Sequence, residues 1–186
     1  MNDAGFFSIV PSPVGPLTLV GGGDELIGLY FESDPLAGDH QRRGVRDDRR
    51  LRPAARQLDE YFAGQRTRFD LSLAPQGSPF QQAVWAALIA IPFGQTATYG
   101  EIARAIGRPA AVRAVGGANH RNPLAIVIPC HRVIGGDGSL TGYGGGLHRK
   151  RLLLALEARV AATTVAAQPA SGRRRQQLPL AKVLSG

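Results

Sequence analysis

The sequence reads IVIPCHRV from Ile126 to Val133, around the only cysteine of the chain, Cys130. The apolar run before Pro129 predicts a buried strand that ends at the proline and presents the thiol. A lone cysteine forms no disulfide within its chain, and one thiolate is too few for a sulfur-based metal site. We therefore expect Cys130 to act as a single nucleophile, and no metal is predicted.

A thiol nucleophile needs a base or a cation that lowers its pKa, and a third group usually orients that base. His131 directly follows Cys130. Residues 77–160 contain only three carboxylates, and one of them, Glu157, lies near the apolar stripe of a predicted final helix from Leu147 to Val160. A carboxylate at the inner edge of a helix usually has a partner. We therefore expect Glu157 to be paired.

The net charge of +8 is distributed unevenly along the 186 residues. Residues 1–76 carry 9 Arg against 11 Asp and Glu, whereas residues 77–160 carry 9 Lys and Arg against 3 acidic residues. A basic second half predicts contact with a polyanion such as nucleic acid. The longest apolar run, Ala83 to Ile91, is too short to span a membrane. An unpaired thiol and an N-terminus without an apolar leader predict a cytoplasmic protein.

Residues 1–76 are predicted to form an α/β domain. Short apolar runs between glycine- and proline-rich turns indicate three strands, at Phe6 to Val10, Leu17 to Val20 and Leu26 to Phe31. The charge-dense stretch from Asp34 to Arg50 is expected to be a mobile loop. Helical spacing predicts one helix between Leu51 and Phe62, and alternation over residues 69–73 predicts a closing strand.

Residues 77–160 are predicted to form a second, mainly helical domain that contains a helix-turn-helix. A first helix starts at Ser78, and Thr98 then precedes a short helix from Tyr99 to Ile106. A second short helix is predicted from Ala110 to Ala118, and the turn between the two contains glycine. Residues 161–186 are predicted to be a basic tail, disordered beyond about Val165.

The second helix of this motif has a small surface, because alanine and glycine supply most of its residues. A helix that reads bases in the major groove needs long polar side chains that face outward. This helix can approach a groove closely but carries little sequence information, and Arg113 can wedge into a base stack. Small residues would also allow tight packing in a core, but Arg113 would be costly to bury without a partner.

Between Cys130 and the final helix lies the glycine-rich segment GGDGSLTGYGGG, from Gly135 to Gly146. Lysine and hydroxyl residues do not occur here at the spacing of a phosphate-binding P-loop. Its glycines allow close backbone approach to a flat ligand, for which Tyr143 would form a wall.

These motifs together resemble the O6-alkylguanine-DNA alkyltransferase family. The resemblance covers about residues 78–157 and rests on six segments: PCHRV at 129–133, Asn122-Pro123, GYGGGL at 142–147, FQQAVW at 80–85, TYGEIA at 98–103 and RAVG at 113–116. It implies two domains of the α+β or α/β class: an N-terminal ribonuclease-H-like α/β domain over 1–76 and a C-terminal winged-helix-like helix-turn-helix domain over 77–160.

The resemblance also implies a role for each matched residue. Cys130 would accept the alkyl group, His131 would act as its base through a water molecule, and Glu157 would orient His131. Tyr99 would donate a proton toward the guanine ring, and Asn122 would hold the cysteine turn. The expected lining of the base pocket consists of Tyr143, Gly144, Val133 and Thr141. The expected DNA-binding positions are Arg113, Thr98, Ala111 and Gly116.

The expected partner is double-stranded DNA that contains O6-alkylguanine, bound through the minor groove largely without sequence preference. The family's reaction needs no cofactor, because the damaged DNA itself is the alkyl donor, and the protein is expected to be a monomer that can cluster on DNA. Three alternatives stay open at this point: a lesion-binding protein without transfer activity, a helix-turn-helix regulator, and a cysteine hydrolase. Cys130 disfavours the first, the small-faced helix disfavours the second, and no oxyanion-hole motif supports the third.

Overall fold

The computed structural model describes residues 5–167, which begin with an antiparallel sheet. The strands of this sheet are β1 (Phe6–Val10), β2 (Leu17–Gly22), β3 (Glu25–Phe31) and β4 (Val45–Arg46). Their order is β3-β2-β1-β4, and β4 alone pairs in parallel, with β1. The three predicted strands are therefore present, and the outer strand β3 faces the segment that leads to the cysteine.

The described residues also contain six helices and a second, two-stranded sheet. The helices are α1 (Pro35–Arg43), α2 (Arg52–Phe62), α3 (Pro79–Ile89), α4 (Tyr99–Ala105), α5 (Val112–His120) and α6 (Leu147–Ala167). The small sheet pairs β5 (Ala97–Thr98) in parallel with β6 (Val133–Ile134). A short 3-10 helix spans Cys130–Arg132, directly before β6. None of the helices within residues 5–167 has the length and apolar character needed to cross a membrane.

Local capping explains where several helices begin. Ser78 and Thr98 each form a capping box, in which the hydroxyl accepts a hydrogen bond from the N3 amide and the N3 side chain returns one to the cap amide. The N3 residues are Gln81 and Glu101. Helices α4 and α5 pack against each other as the predicted helix-turn-helix, although α5 begins at Val112 and not at Ala110.

Three local predictions from the sequence are wrong. The stretch from Asp34 to Arg50 contains helix α1, because Asp34 caps it through the Leu36 amide and a proline occupies its first turn. Residues 126–128 form turns and not a strand. Residues 69–73 form no closing strand but only one isolated bridge, between Leu73 and Leu26.

The final helix is also longer than predicted. Helix α6 continues from Leu147 to Ala167, so residues 161–167 of the predicted tail are helical. The rest of the predicted tail, residues 168–186, lies outside the described residues.

One cluster of buried apolar side chains joins the sheet to the helices of the second half. It includes Leu29 of β3, Leu58 of α2, Trp85 of α3 and Leu153 of α6. Backbone bonds reinforce this contact, because the Leu29 amide donates to the Pro123 carbonyl at 2.8 Å and the Ala125 amide donates to the Leu29 carbonyl at 3.1 Å. The sheet edge therefore holds the segment that precedes Cys130.

Candidate active site

Asn122 organises the turn that carries Cys130. Its Nδ2 donates to Cys130 Sγ at 3.0 Å and to the Ile128 carbonyl at 2.8 Å. Its Oδ1 accepts from the Leu124 amide at 3.0 Å. One side chain thus satisfies both ends of the turn and contacts the sulfur, so the turn needs no strand partner to satisfy these backbone groups.

The same turn contains an unusual backbone conformation. Ile126 has a φ of 71°, and it is the only non-glycine residue with positive φ among residues 5–167. A β-branched residue is strained in this region, and such strain persists only where surrounding contacts impose it. The side chain of Ile126 is fully packed in the core, so burial and the bonds to β3 and Asn122 hold this strained turn in place.

The carboxylate of Glu157 accepts five hydrogen bonds. Its Oε1 pairs with His131 Nε2 at 2.8 Å, while Arg132 donates to Oε2 through Nε at 2.9 Å and to Oε1 through Nη2 at 3.0 Å. The Tyr61 hydroxyl also donates to Oε1, at 2.8 Å, and the Gly94 amide donates to Oε2 at 3.0 Å. The predicted pairing of His131 with Glu157 is therefore present, within a larger network.

This network fixes the charge states of its members. Burial alone would raise the pKa of Glu157, but the hydrogen bonds from His131 and Arg132, together with the positive charge of Arg132, outweigh it and lower that pKa to about 2. Burial lowers the pKa of His131, and Glu157 opposes that shift only in part. The site therefore holds a carboxylate anion beside a neutral imidazole. His131 Nδ1 is buried and has no hydrogen-bond partner within residues 5–167.

A buried lysine, Lys150, lies close to Cys130. Burial raises the pKa of the Cys130 thiol, while the Asn122 hydrogen bond and the charge of Lys150 offset part of that increase. Lys150 Nζ donates to the carbonyls of Val133 and Thr141, at 2.5 Å and 2.9 Å. Its ammonium group thereby joins α6 to β6, just before the glycine-rich segment, and to Thr141 within that segment.

A small cavity of about 30 Å³ lies in front of Cys130. The second half of the chain contributes Asn122, Tyr143 and Gly144 to its walls, and the first half contributes Tyr30 and Phe31 of β3. The hydroxyl of Tyr143 is buried without a hydrogen-bond partner in the described part of the chain. A buried hydroxyl without a partner, beside a cavity that Cys130 also borders, is available to contact a polar ligand.

Two family profiles cover almost all of the described residues. The DNA binding domain of 6-O-methylguanine DNA methyltransferase matches residues 79–159, and the ribonuclease-like domain of the same enzyme matches residues 6–75. The chain belongs to this methyltransferase family. Its membership confirms the resemblance and the two-domain fold class predicted from the sequence.

Relatives match the chain over nearly their whole length. A methylated-DNA--protein-cysteine methyltransferase of Methanosarcina barkeri is 51% identical over 152 residues, which cover 82% of this chain and 96% of that protein. The protein of the same name from Mycobacterium tuberculosis is 50% identical over 151 residues, with coverages of 81% and 91%. The crystal structure of Mycobacterium tuberculosis OGT in complex with DNA matches with a TM-score of 0.79 at 49% identity, covering 83% of this chain and 94% of that chain.

The methyltransferase residues predicted to contact DNA lie on the helix-turn-helix. Thr98 is the N-cap of α4, and Ala111 is the N-cap position of α5. Arg113 is exposed on the first turn of α5. Gly116 of α5 faces the half-buried ring of Tyr99. A Cβ atom built on Gly116 would lie 3.9 Å from Tyr99 Cε1.

Two predicted pocket residues lie elsewhere in this structure. Val133 is buried in β6 and Thr141 is exposed, and neither borders the cavity in front of Cys130. Both instead offer their carbonyl oxygens to Lys150. The structure thus connects them to the site through α6.

Three side chains of the site were not predicted from the sequence: Tyr61 and Arg132, which donate to Glu157, and Lys150, which lies near Cys130. The spacing of Lys150, Leu153 and Glu157 is the signal for one of them, because residues three and seven positions apart share one face of a helix. No local pattern marks Tyr61, which comes from the other domain.

Proposed function

We propose that this protein repairs DNA by moving an alkyl group from O6 of guanine to Cys130, in a reaction that each molecule performs once. The observation that carries this proposal is the sulfur itself: Cys130 Sγ accepts a hydrogen bond from Asn122 and borders a cavity, beside a neutral histidine that is paired with a buried carboxylate. The relatives named for methylated DNA and a protein cysteine support the same reaction.

The reaction is a direct displacement. His131 Nδ1, which lacks a partner among residues 5–167, takes the thiol proton through one water molecule, and Glu157 stabilises the resulting imidazolium. The sulfur then attacks the alkyl carbon, a C–S bond forms and the C–O6 bond breaks. The bonding electrons go to the guanine, and Tyr99 supplies a proton to its ring. No cofactor is required, because the alkyl donor is the damaged base.

The product explains why each molecule would react once. A thioether has no leaving group that water displaces under mild conditions, so Cys130 stays alkylated. The protein is therefore consumed in proportion to the lesions that it repairs. A thiol that must stay reduced until that moment is suited to the cytoplasm.

The lesion has to leave the duplex before it reaches the sulfur. Flipping a base costs a few kcal/mol, and this cost is lowest for a weakened pair. Exposed Arg113 would fill the gap in the base stack, while the small residues around Ala111 and Gly116 let α5 approach the minor groove closely. Because the small residues of α5 have no side-chain donors for the edges of the bases, binding would show little sequence preference.

The cavity also has to open for the flipped base. A volume of about 30 Å³ is close to that of one water molecule and is much smaller than a purine. Its mobile wall would be the glycine-rich segment around Tyr143 and Gly144. We place the working unit at residues 1–160, as an N-terminal support domain (1–76) and an alkyl-acceptor domain (77–160), acting as a monomer that can cluster on DNA.

The decisive experiment is a mass measurement on intact protein. Incubation with a duplex that contains O6-methylguanine should add one methyl group, located on the peptide that contains Cys130, and an equal duplex with unmodified guanine should add nothing. Cys130→Ser should bind the damaged duplex and gain no mass. Binding by the unaltered protein without any gain of mass would instead show a lesion-binding protein, and a strong preference for one undamaged sequence would show a regulator.

A further inference from the structure

The first half of the chain supplies one side chain to the hydrogen-bond network of the acceptor site. Tyr61 lies in the last turn of α2, and its hydroxyl donates to Glu157 Oε1 at 2.8 Å. The two residues are 96 positions apart in the sequence. The contact crosses from the ribonuclease-like domain, which contains α2, to the domain that contains Cys130. The motif around Cys130 does not account for it.

The hydroxyl of Tyr61 and the ring of His131 bond the same oxygen atom of Glu157, so the two hydrogen bonds compete. Oε1 accepts from Tyr61, from His131 Nε2 and from Arg132 Nη2, so three donors share the electron density of one oxygen. Each added donor lowers the negative charge available to the other two. The strength of the His131–Glu157 bond therefore depends on whether the phenol is present.

The ring of Tyr61 is held rigidly, which fixes the direction of its hydroxyl. It is 1% exposed, and three aromatic rings surround it, with centroids at 5.3 Å (Phe62), 5.5 Å (Phe69) and 6.0 Å (Phe93). Burial, and then the charge of Glu157, raise the pKa of Tyr61 well above its usual value of 10. The phenol thus remains a proton donor throughout the working pH range.

We propose that Tyr61 is a positioning residue for the alkyl transfer: through its hydroxyl on Glu157 Oε1, helix α2 sets the orientation of that carboxylate and the basicity of His131. This inference rests on the proposed function. It gives the ribonuclease-like domain a direct part in the chemistry, in addition to supporting the cysteine turn through β3.

The sign of the effect follows from the charges around His131. Glu157 stabilises its protonated form, Arg132 and Lys150 disfavour it, and burial disfavours it further. Two further titratable groups belong to these surroundings. Cys130 lies near Lys150, and Tyr61 faces both Glu157 and Arg132. Removing the phenol donor leaves more negative charge on Oε1, which favours imidazolium. His131 would then be protonated at a higher pH, where it can no longer accept the thiol proton.

The test is the pH dependence of single-turnover methyl transfer from an O6-methylguanine duplex. Tyr61→Phe keeps the ring and its aromatic contacts and leaves Glu157 with its other four donors, so the variant should fold. We expect the acid limb of its rate profile to move to higher pH. We also expect the rate on the alkaline plateau to fall by about three- to tenfold, because a charge-assisted hydrogen bond that orients the base is missing.

The matched control is Leu58→Ala, which removes a buried side chain from α2 one turn before Tyr61 and leaves the phenol in place. Its profile should keep the acid limb of the unaltered protein even if its stability falls. The role of Tyr61 would be overturned if the Tyr61→Phe profile had the same acid limb as the unaltered protein, or if Leu58→Ala moved that limb equally. An unaltered protein that accepts no methyl group would overturn the proposed function itself, together with this inference.

Discussion

Replacing Glu157 with glutamine tests how strongly the buried carboxylate stabilises the fold. The substitution keeps the size of the side chain but removes the anion that faces Arg132 at 2.9 Å and 3.0 Å. The pKa of Glu157 is lowered from 4.5 to about 2. A difference of this size between folded and unfolded chains corresponds to about 3 kcal/mol of stability at neutral pH. Breaking a buried ion pair by removing one partner costs a similar amount.

The sign of the pH dependence follows from the direction of the shift. Because the folded pKa of Glu157 lies below the unfolded one, the contribution is complete above about pH 5 and is lost as the pH falls toward 2. Urea denaturation at pH 7 should therefore show Glu157→Gln to be less stable than the unaltered protein by about 3 kcal/mol. Between pH 5 and pH 3 the difference between the two proteins should shrink, because only the unaltered protein has this carboxylate to protonate.

A matched control is available on α2. Glu60 also binds two arginines, with Arg66 Nε at 2.7 Å and Arg56 Nε at 3.5 Å, but its side chain is 28% exposed. Glu60→Gln should cost less than about 1 kcal/mol, since exposed ion pairs contribute little. Equal losses of stability in the two glutamine variants at pH 7 would contradict a special contribution from the buried carboxylate. A gap between Glu157→Gln and the unaltered protein that stayed constant down to pH 3 would contradict it too.

Three further predictions concern the nucleophile, the pocket and the DNA face. Lys150→Met should slow alkylation of Cys130 by iodoacetamide at pH 8, because the thiol loses a nearby positive charge; Arg151→Met, on the exposed side of α6, should not. Gly145→Ala should reduce methyl transfer on the order of tenfold, because its Cβ would lie 2.5 Å from the Phe31 ring that borders the cavity. Gly142→Ala, with open space around it, is the control, and equal rates for the two variants would contradict the steric argument. Arg113→Ala should lower repair in duplex DNA about tenfold or more and leave transfer from free O6-alkylguanine unchanged, whereas equal losses would rule out a wedge.

Local sequence predicted the helices better than it predicted the segments between them. Ser78 and Thr98 mark the starts of their helices in the sequence, because a capping box is a contact between residues only three positions apart. The apolar run before Cys130 misled for the opposite reason. Its backbone is satisfied by Asn122 and by Leu29 of β3, so it can form a strained turn where a short apolar run usually predicts a strand.

The acceptor site likewise has features that follow from a local motif and features that depend on the fold. The family could be identified from the sequence alone, and Cys130 and His131 could be predicted as its reactive pair, because both inferences depend on residue types within one short motif and on the order of a few others. The surroundings of Glu157 are visible only in the folded protein: a tyrosine from α2, an amide after α3 and the arginine that follows His131. The pKa values of buried groups are set by desolvation and by neighbours within a few ångströms. Those neighbours come from elements far apart in the chain, so folding brings them together and no local pattern records it.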